Sequence, residues 1–152
     1  MTSLNISKIT DFLYISAWPE GRHTDEVIGL GIRLILSMHW RRPNYALNRP
    51  PLRIMWLPTF DNAVVKMPMF AFKMGVSAAR PVIQDGGAVL CHCLAGVHRS
   101  VAMACCILIS QGYSTDEAMQ LVKSQREVAD PEMWYIQHRI RKFEEIYKKT
   151  VK

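Results

Sequence analysis

The chain has little with which to staple or anchor itself. Its 152 residues include only four cysteines. Two are adjacent, Cys105-Cys106, and two flank a histidine, Cys91-His92-Cys93. That spacing makes a poor disulfide framework and points to a reducing, cytoplasmic setting. Long hydrophobic runs are missing too. The longest apolar stretch, Val101–Ile109, is too short to cross a bilayer, so no membrane span is expected. Met1-Thr2-Ser3-Leu4-Asn5 lacks a basic segment followed by an apolar one, so no secretory leader is expected. His23, His39 and His138 stand at no metal-ligand spacing, and no metal site is read. No repeat, linker or composition break appears, and a single domain over residues 1–152 is the expectation.

Acidic residues are the scarcer charge, 13 against 19 basic, for a net +6. Long-range steering then favours anionic partners, phosphorylated or acidic proteins among them. The C-terminal positives Arg139, Arg141, Lys142, Lys148 and Lys149 are interleaved with Glu144 and Glu145, as on a solvated helix face. No nucleic-acid partner is therefore expected, and the oligomeric state stays open.

What the chain does have is apolar residues, 49% of the total, in short alternating blocks. Leu13 to Ile15 reads as a short strand, and Thr24 as the cap of a helix through Leu30. Ile32 to Leu36 is a continuous apolar strand of the kind buried on both faces. A loop, Trp40 to Pro51, precedes a strand over Leu52–Leu57. Met69 to Arg80 is helical and is expected to stop near Pro81; Asp85-Gly86-Gly87 then turns the chain into a strand at Ala88-Val89-Leu90-Cys91. Ser114 and Glu117 form a capping box for a helix to about Gln125. Asp130-Pro131 fits the cap and first turn of a last helix, with Met133, Ile136, Ile140, Phe143 and Tyr147 as its buried stripe. The order predicts an α/β fold: a central, partly parallel sheet flanked by helices on both faces.

One segment carries chemistry. Between the strand ending at Cys91 and the apolar run from Val101 lies His92-Cys93-Leu94-Ala95-Gly96-Val97-His98-Arg99-Ser100. A tight loop from strand to helix start converges its backbone N–H groups on one point, where the helix terminus adds positive partial charge. That site suits a tetrahedral oxyanion with a nucleophile beneath it. Cys93 must react as thiolate, and helix N-termini and nearby cations lower a cysteine pKa to about 3.5–7.5. Gly96 permits unusual dihedrals and close approach, and Arg99 can grip two oxygens with its planar fork. Ser100 is placed to hydrogen-bond the thiolate and later help it leave, while His92 braces the loop. By ordinary residue usage the pattern arises by chance in roughly one in several thousand chains of this length. The expected chemistry is phosphate-monoester cleavage through a phosphocysteine, with His92, Leu94, Ala95, Gly96, Val97, His98 and Arg99 as the substrate-binding residues around the phosphate.

Ligands of such sheets bind beyond the carboxyl ends of the strands. Asp61 follows the Leu52–Leu57 strand there, whereas Asp85, Asp11, Asp25 and Asp116 are worse placed. This selects Asp61 as the general acid that an alkoxide leaving group requires; the plain alternative is that Asp61-Asn62 is a turn pair. Asp130 reads as a helix cap, and His98 either adds charge near the phosphate or faces solvent. Trp40, Arg41, Arg42 and Tyr45 could rim a pocket, although a surface loop accounts for most of them.

His92-Cys93-x-x-Gly96-x-x-Arg99-Ser100 resembles the signature loop of the cysteine-dependent protein phosphatases. The chain as a whole resembles a compact dual-specificity phosphatase. Ile9-Thr10-Asp11-Phe12-Leu13-Tyr14-Ile15-Ser16 is similar to the family's first strand, and Ser124 to Pro131 to its late loop. The resemblance implies a phosphatase-like single domain acting on phosphorylated protein without cofactor, with the acid on a loop upstream of the cysteine, again Asp61. In relatives a polar residue near Asp130 sits by the hydrolytic water. Three other readings stand beside this one: a non-catalytic phosphate-binding module, a rhodanese-type sulfurtransferase, and a phosphatase of phosphoinositide or RNA 5′-phosphate.

Overall fold

The computed structural model describes residues 3–151. Its strands are β1 (Ile6–Thr10), β2 (Leu13–Ser16), β3 (Ile32–Ser37), β4 (Arg53–Trp56) and β5 (Ala88–His92). They form one sheet in the order β1-β2-β5-β3-β4. Only β1 runs antiparallel to its neighbour. The helices are α1 (Thr24–Gly29), α2 (Met69–Gln84), α3 (Arg99–Ser110), α4 (Thr115–Gln125) and α5 (Trp134–Thr150).

Strand alternation divides the core in two. Leu13, Ile15, Leu34, Leu36, Val89 and Cys91 face α2 to α5. Tyr14, Ile35, Ile54 and Leu90 face the opposite way, onto Val27 of α1 and Leu47 of a 3-10 turn at Tyr45–Leu47. The expected sheet with helices on both faces is therefore present, with the larger layer on one side. A register shift between Ile32 and Leu34 puts Ile32 on the α1 side, against simple alternation. β5 lies between two parallel neighbours, and all five of its residues are buried. α3, which follows the site, is buried from Arg99 through Ile109, and so its sequence is apolar almost all round.

Four local expectations need correction. The segment Ile9–Ser16 is a hairpin rather than one strand, turning at Asp11-Phe12 with the Phe12 amide donating to Thr10 Oγ1 at 3.2 Å. β1 is an edge strand with one solvated face, and Ser7 and Lys8 dilute its apolar signal. Thr24 does not cap α1. A 3-10 turn at Gly21–His23 runs directly into the helix, and the Thr24 hydroxyl donates back to Gly21 O at 2.6 Å. α2 runs through Pro81 to Gln84. Pro81 and Ser77 are exposed, so the Ser77 carbonyl left without a helical donor meets water. Finally, α5 begins at Trp134 behind Met133, so Asp130 caps nothing. Its amide donates instead to Val97 O at 2.9 Å, fastening this segment to the loop after β5.

Candidate active site

The loop between β5 and α3 is shaped from outside. Its four carbonyls from Leu94 to Val97 are all drawn outward by other parts of the chain. Leu94 O accepts from the Trp18 amide at 2.9 Å and Val97 O from the Asp130 amide at 2.9 Å. Arg126 takes the two between them, donating from Nη2 to Ala95 O at 3.0 Å and from Nε to Gly96 O at 2.8 Å. In a planar trans peptide C=O and N–H point in opposite directions. The amides of Ala95, Gly96, Val97 and His98 are therefore turned to the inner side, a nest of the kind that suits an anion. Gly96 has φ 71°, and a Cβ there would lie 2.6 Å from Arg126 Nη2 and 2.8 Å from Ser16 O. Both the backbone angle and the space demand glycine.

Cys93 sits at the base of this loop, 3% exposed, with its Sγ 3.2 Å from Ser100 Oγ. Burial pushes the thiol up. The Ser100 hydroxyl, the Ser100 and Gly96 amides and the Arg99 charge outweigh burial, and the thiol ends below its ordinary value. Cys91, Cys105 and Cys106 have no such donors, and burial pushes all three up. The four cysteines thus divide into one thiol held below its ordinary value and three core thiols held above theirs.

Arg99 opens α3 and is 6% exposed. Its Nη1 donates to Thr59 O at 3.1 Å, while Nε has no partner among the described residues. A buried guanidinium with part of its fork unused is built to meet a planar pair of oxygens. Behind it lie two neutral imidazoles. His92 is pushed down to about 4 by burial, and His39 to about 4 by burial and by the Arg99 and Arg41 charges. Trp18 stands edge-on between these rings, at 5.1 Å from His39 and 5.3 Å from His92. His92 Nδ1 lies 3.2 Å from Cys93 O, so His92 braces the loop from below and does not line its mouth.

Asp61 reaches the site as its position after β4 implied. Its Oδ2 lies 2.9 Å from His98 Nδ1, and its Oδ1 accepts from Tyr135 Oη at 2.6 Å. Burial pushes the carboxyl up, but Tyr135, His98 and Arg99 together hold it below its ordinary value. The turn role falls to its neighbour: Asn62 Oδ1 accepts from the Val64 and Val65 amides at 2.9 and 2.6 Å. His98 Nε2 faces Asp130 Oδ2 at 3.4 Å. Trp40 stacks on Phe60 at 6.5 Å and carries Arg41 at 5.8 Å, next to the Thr59–Asp61 segment. Arg42 lies instead over Trp56, and Tyr45 opens the 3-10 turn, so the pocket-rim candidates reduce to Trp40 and Arg41.

Sequence reasoning missed Arg126, Tyr135 and Thr59, and it misread Asp130. Arg126 is 3% exposed and also donates to Ser7 Oγ at 3.0 Å. Its partners lie some 30 and 119 residues away in the chain, and no local pattern announces them.

A cysteine at a strand end, an inward nest of amides and a buried arginine opening the next helix are the parts of a cysteine phosphatase. A family model described as "Dual specificity phosphatase, catalytic domain" matches residues 13–146. The chain belongs to that family. It is a cysteine-dependent phosphatase of the dual-specificity type. It is 26% identical to the mouse dual specificity phosphatase 28 over 130 residues, covering 85% of this chain and 78% of that one. Other curated relatives are longer, and the chain spans between 16% and 39% of their length. A mouse dual specificity phosphatase solved with zinc tungstate superposes with a TM-score of 0.84 at 24% identity, covering 97% of this chain and 91% of the other. PTPMT1 solved in complex with PI(5)P superposes with a TM-score of 0.85 at 18% identity, over 97% and 99%. These two likenesses speak to the fold.

Proposed function

We propose that this phosphatase hydrolyses phosphotyrosine, and also phosphoserine and phosphothreonine, in proteins, with Cys93 as the nucleophile. The observation that carries this reading is the Cys93 thiol, held down beneath four inward amides and the partly unpaired Arg99. Cys93 Sγ attacks phosphorus in line, and the nest with Arg99 stabilises the equatorial oxygens. Asp61 protonates the leaving oxygen, then takes a proton from the water that hydrolyses the phosphocysteine. Ser100 supports the thiolate as it leaves. The exposed Trp40–Phe60 pair beside Asp61 supports an aromatic phosphoester. Leu94 to His98 contains no lysine, which weakens the phosphoinositide reading. Free, buried thiols support a reducing location.

The test is Cys93→Ser with an aryl phosphate. Turnover should fall below about a hundredth of wild type, the scale of losing a nucleophile, while folding and phosphate binding persist. Retained turnover would overturn the mechanism. A panel of phosphopeptides, phosphoinositides and RNA 5′-phosphates tests the substrate class, and a preference for either of the last two would replace protein as substrate.

A further inference from the structure

His98 is the one residue of the loop whose side chain reaches both neighbouring loops. Nδ1 lies 2.9 Å from Asp61 Oδ2, on the segment after β4, and Nε2 lies 3.4 Å from Asp130 Oδ2, on the segment between α4 and α5. From α5 the Tyr135 ring meets it edge-on at 6.1 Å, and the Tyr135 hydroxyl holds the other oxygen of Asp61. Arg99 follows it at the start of α3. A histidine facing a carboxylate at each ring nitrogen can donate to both only as imidazolium. As neutral imidazole with its proton on Nε2, it still bonds Asp130 and has given the Nδ1 proton to Asp61.

We propose that His98 and Asp61 act as one acid–base pair, in which His98 is the positioning residue that orients the carboxyl and holds the proton Asp61 delivers. This rests on the phosphocysteine reading above. In the first step the S–P bond forms and the P–O bond breaks. The Nδ1 proton of the imidazolium passes to the Asp61 carboxylate and on to the leaving oxygen, so Asp61 ends this step as carboxylate. His98 ends neutral, its remaining proton toward Asp130. In the second step water attacks phosphorus, the thiolate leaves, and the proton lost by water passes to Asp61 and back to His98. One proton is lent and returned per turnover.

The experiment is the pH profile of kcat for phenyl phosphate, a poor leaving group, beside para-nitrophenyl phosphate, a good one. The proteins are wild type, His98→Asn, Asp130→Asn and Tyr135→Phe. Asparagine keeps a donor toward Asp61 but holds no exchangeable proton. With it, Asp61 acts alone and the basic limb moves to lower pH. The loss at neutral pH should be larger for phenyl phosphate. Asp130→Asn, outside the loop, should lower the limb in the same direction. Tyr135→Phe should not lower it, because the Asp61 hydrogen bond and burial push that phenol up to about 12 and it does not exchange protons here. A limb unmoved or raised in His98→Asn would show that the imidazole acts only as a fixed charge, and would overturn the pair. Equal losses on both substrates in His98→Asn, with no shift in Asp130→Asn, would also overturn it. Turnover retained in Cys93→Ser would instead sink the underlying reading.

Discussion

At the scale of single residues, the decisive quantity is the contrast between Cys93 and the other thiols. All four are buried, and only one has donors. Iodoacetamide at pH 6 should therefore label Cys93 and leave Cys105 and Cys106 untouched. Faster labelling of either core thiol would refute the assignment. Ser100→Ala removes the strongest opponent of burial at Cys93. The thiol should rise, labelling at pH 6 should slow, and the acid limb of the aryl phosphatase profile should shift to higher pH. Arg99→Lys should be severely impaired, because an ammonium supplies charge without the planar fork; near-normal activity would make Arg99 structural.

At the scale of elements, the loop holds its shape through contacts it does not itself encode. Arg126 stands just past the end of α4 and fastens two of its carbonyls. Arg126→Lys should retain charge yet free one carbonyl, letting amides turn away from the phosphate. A loss in kcat of about a hundredfold is expected, the usual cost of misplacing a site by an ångström, with a nearly unchanged melting temperature. An unchanged kcat would assign Arg126 to packing alone. Helix packing offers a second test. An added Cβ at Gly75 of α2 would lie 2.5 Å from Met103 Sδ of α3. Gly75→Val should destabilise the fold by about 1–3 kcal/mol, measured by urea unfolding.

These elements also mark how far the sequence could be read. Periodicity and the Ser114–Glu117 capping box located α3, α4 and the parallel strands, because those signals are local. That Cys93, Arg99 and Asp61 would gather at one end of the sheet was legible because strand ends in α/β sheets converge. Asp130 was misread because Asp-Pro is a good local start for a helix, while its real partners, Val97 and His98, are brought to it only by the fold. β1 was missed because an edge strand needs no apolar pattern on its open face.

For the whole molecule, acid should be destabilising in a defined window. His92 and His39 are held neutral down to about 4 when folded, against an ordinary 6.5. Between those values the unfolded chain binds more protons, so stability rises with pH across the window and is lost as pH falls through it. The buried His92 alone accounts for a loss on the order of 1–3 kcal/mol by pH 4. Urea midpoints should drop between pH 7 and pH 4.5, and His92→Asn should flatten that drop if it folds. An unchanged slope in a folded variant would place the acid sensitivity elsewhere.

The position of β5 has a further consequence, for how the molecule is assembled. The strand leading to Cys93 is inserted between β2 and β3, pairing Ile15 with Cys91 and Leu36 with Cys91 across long stretches of chain. Pairings so distant in sequence form slowly, because their loop-closure entropy is lost before contacts reward it. A nascent or refolding chain can gather its local helices early, but it gains a reactive thiolate only when the middle of the sheet closes and Arg126 reaches back to the loop. Recovery of aryl phosphatase activity should therefore lag the recovery of helical signal and coincide with the last tertiary step. The reactive sulfur stays chemically ordinary until the molecule around it is finished.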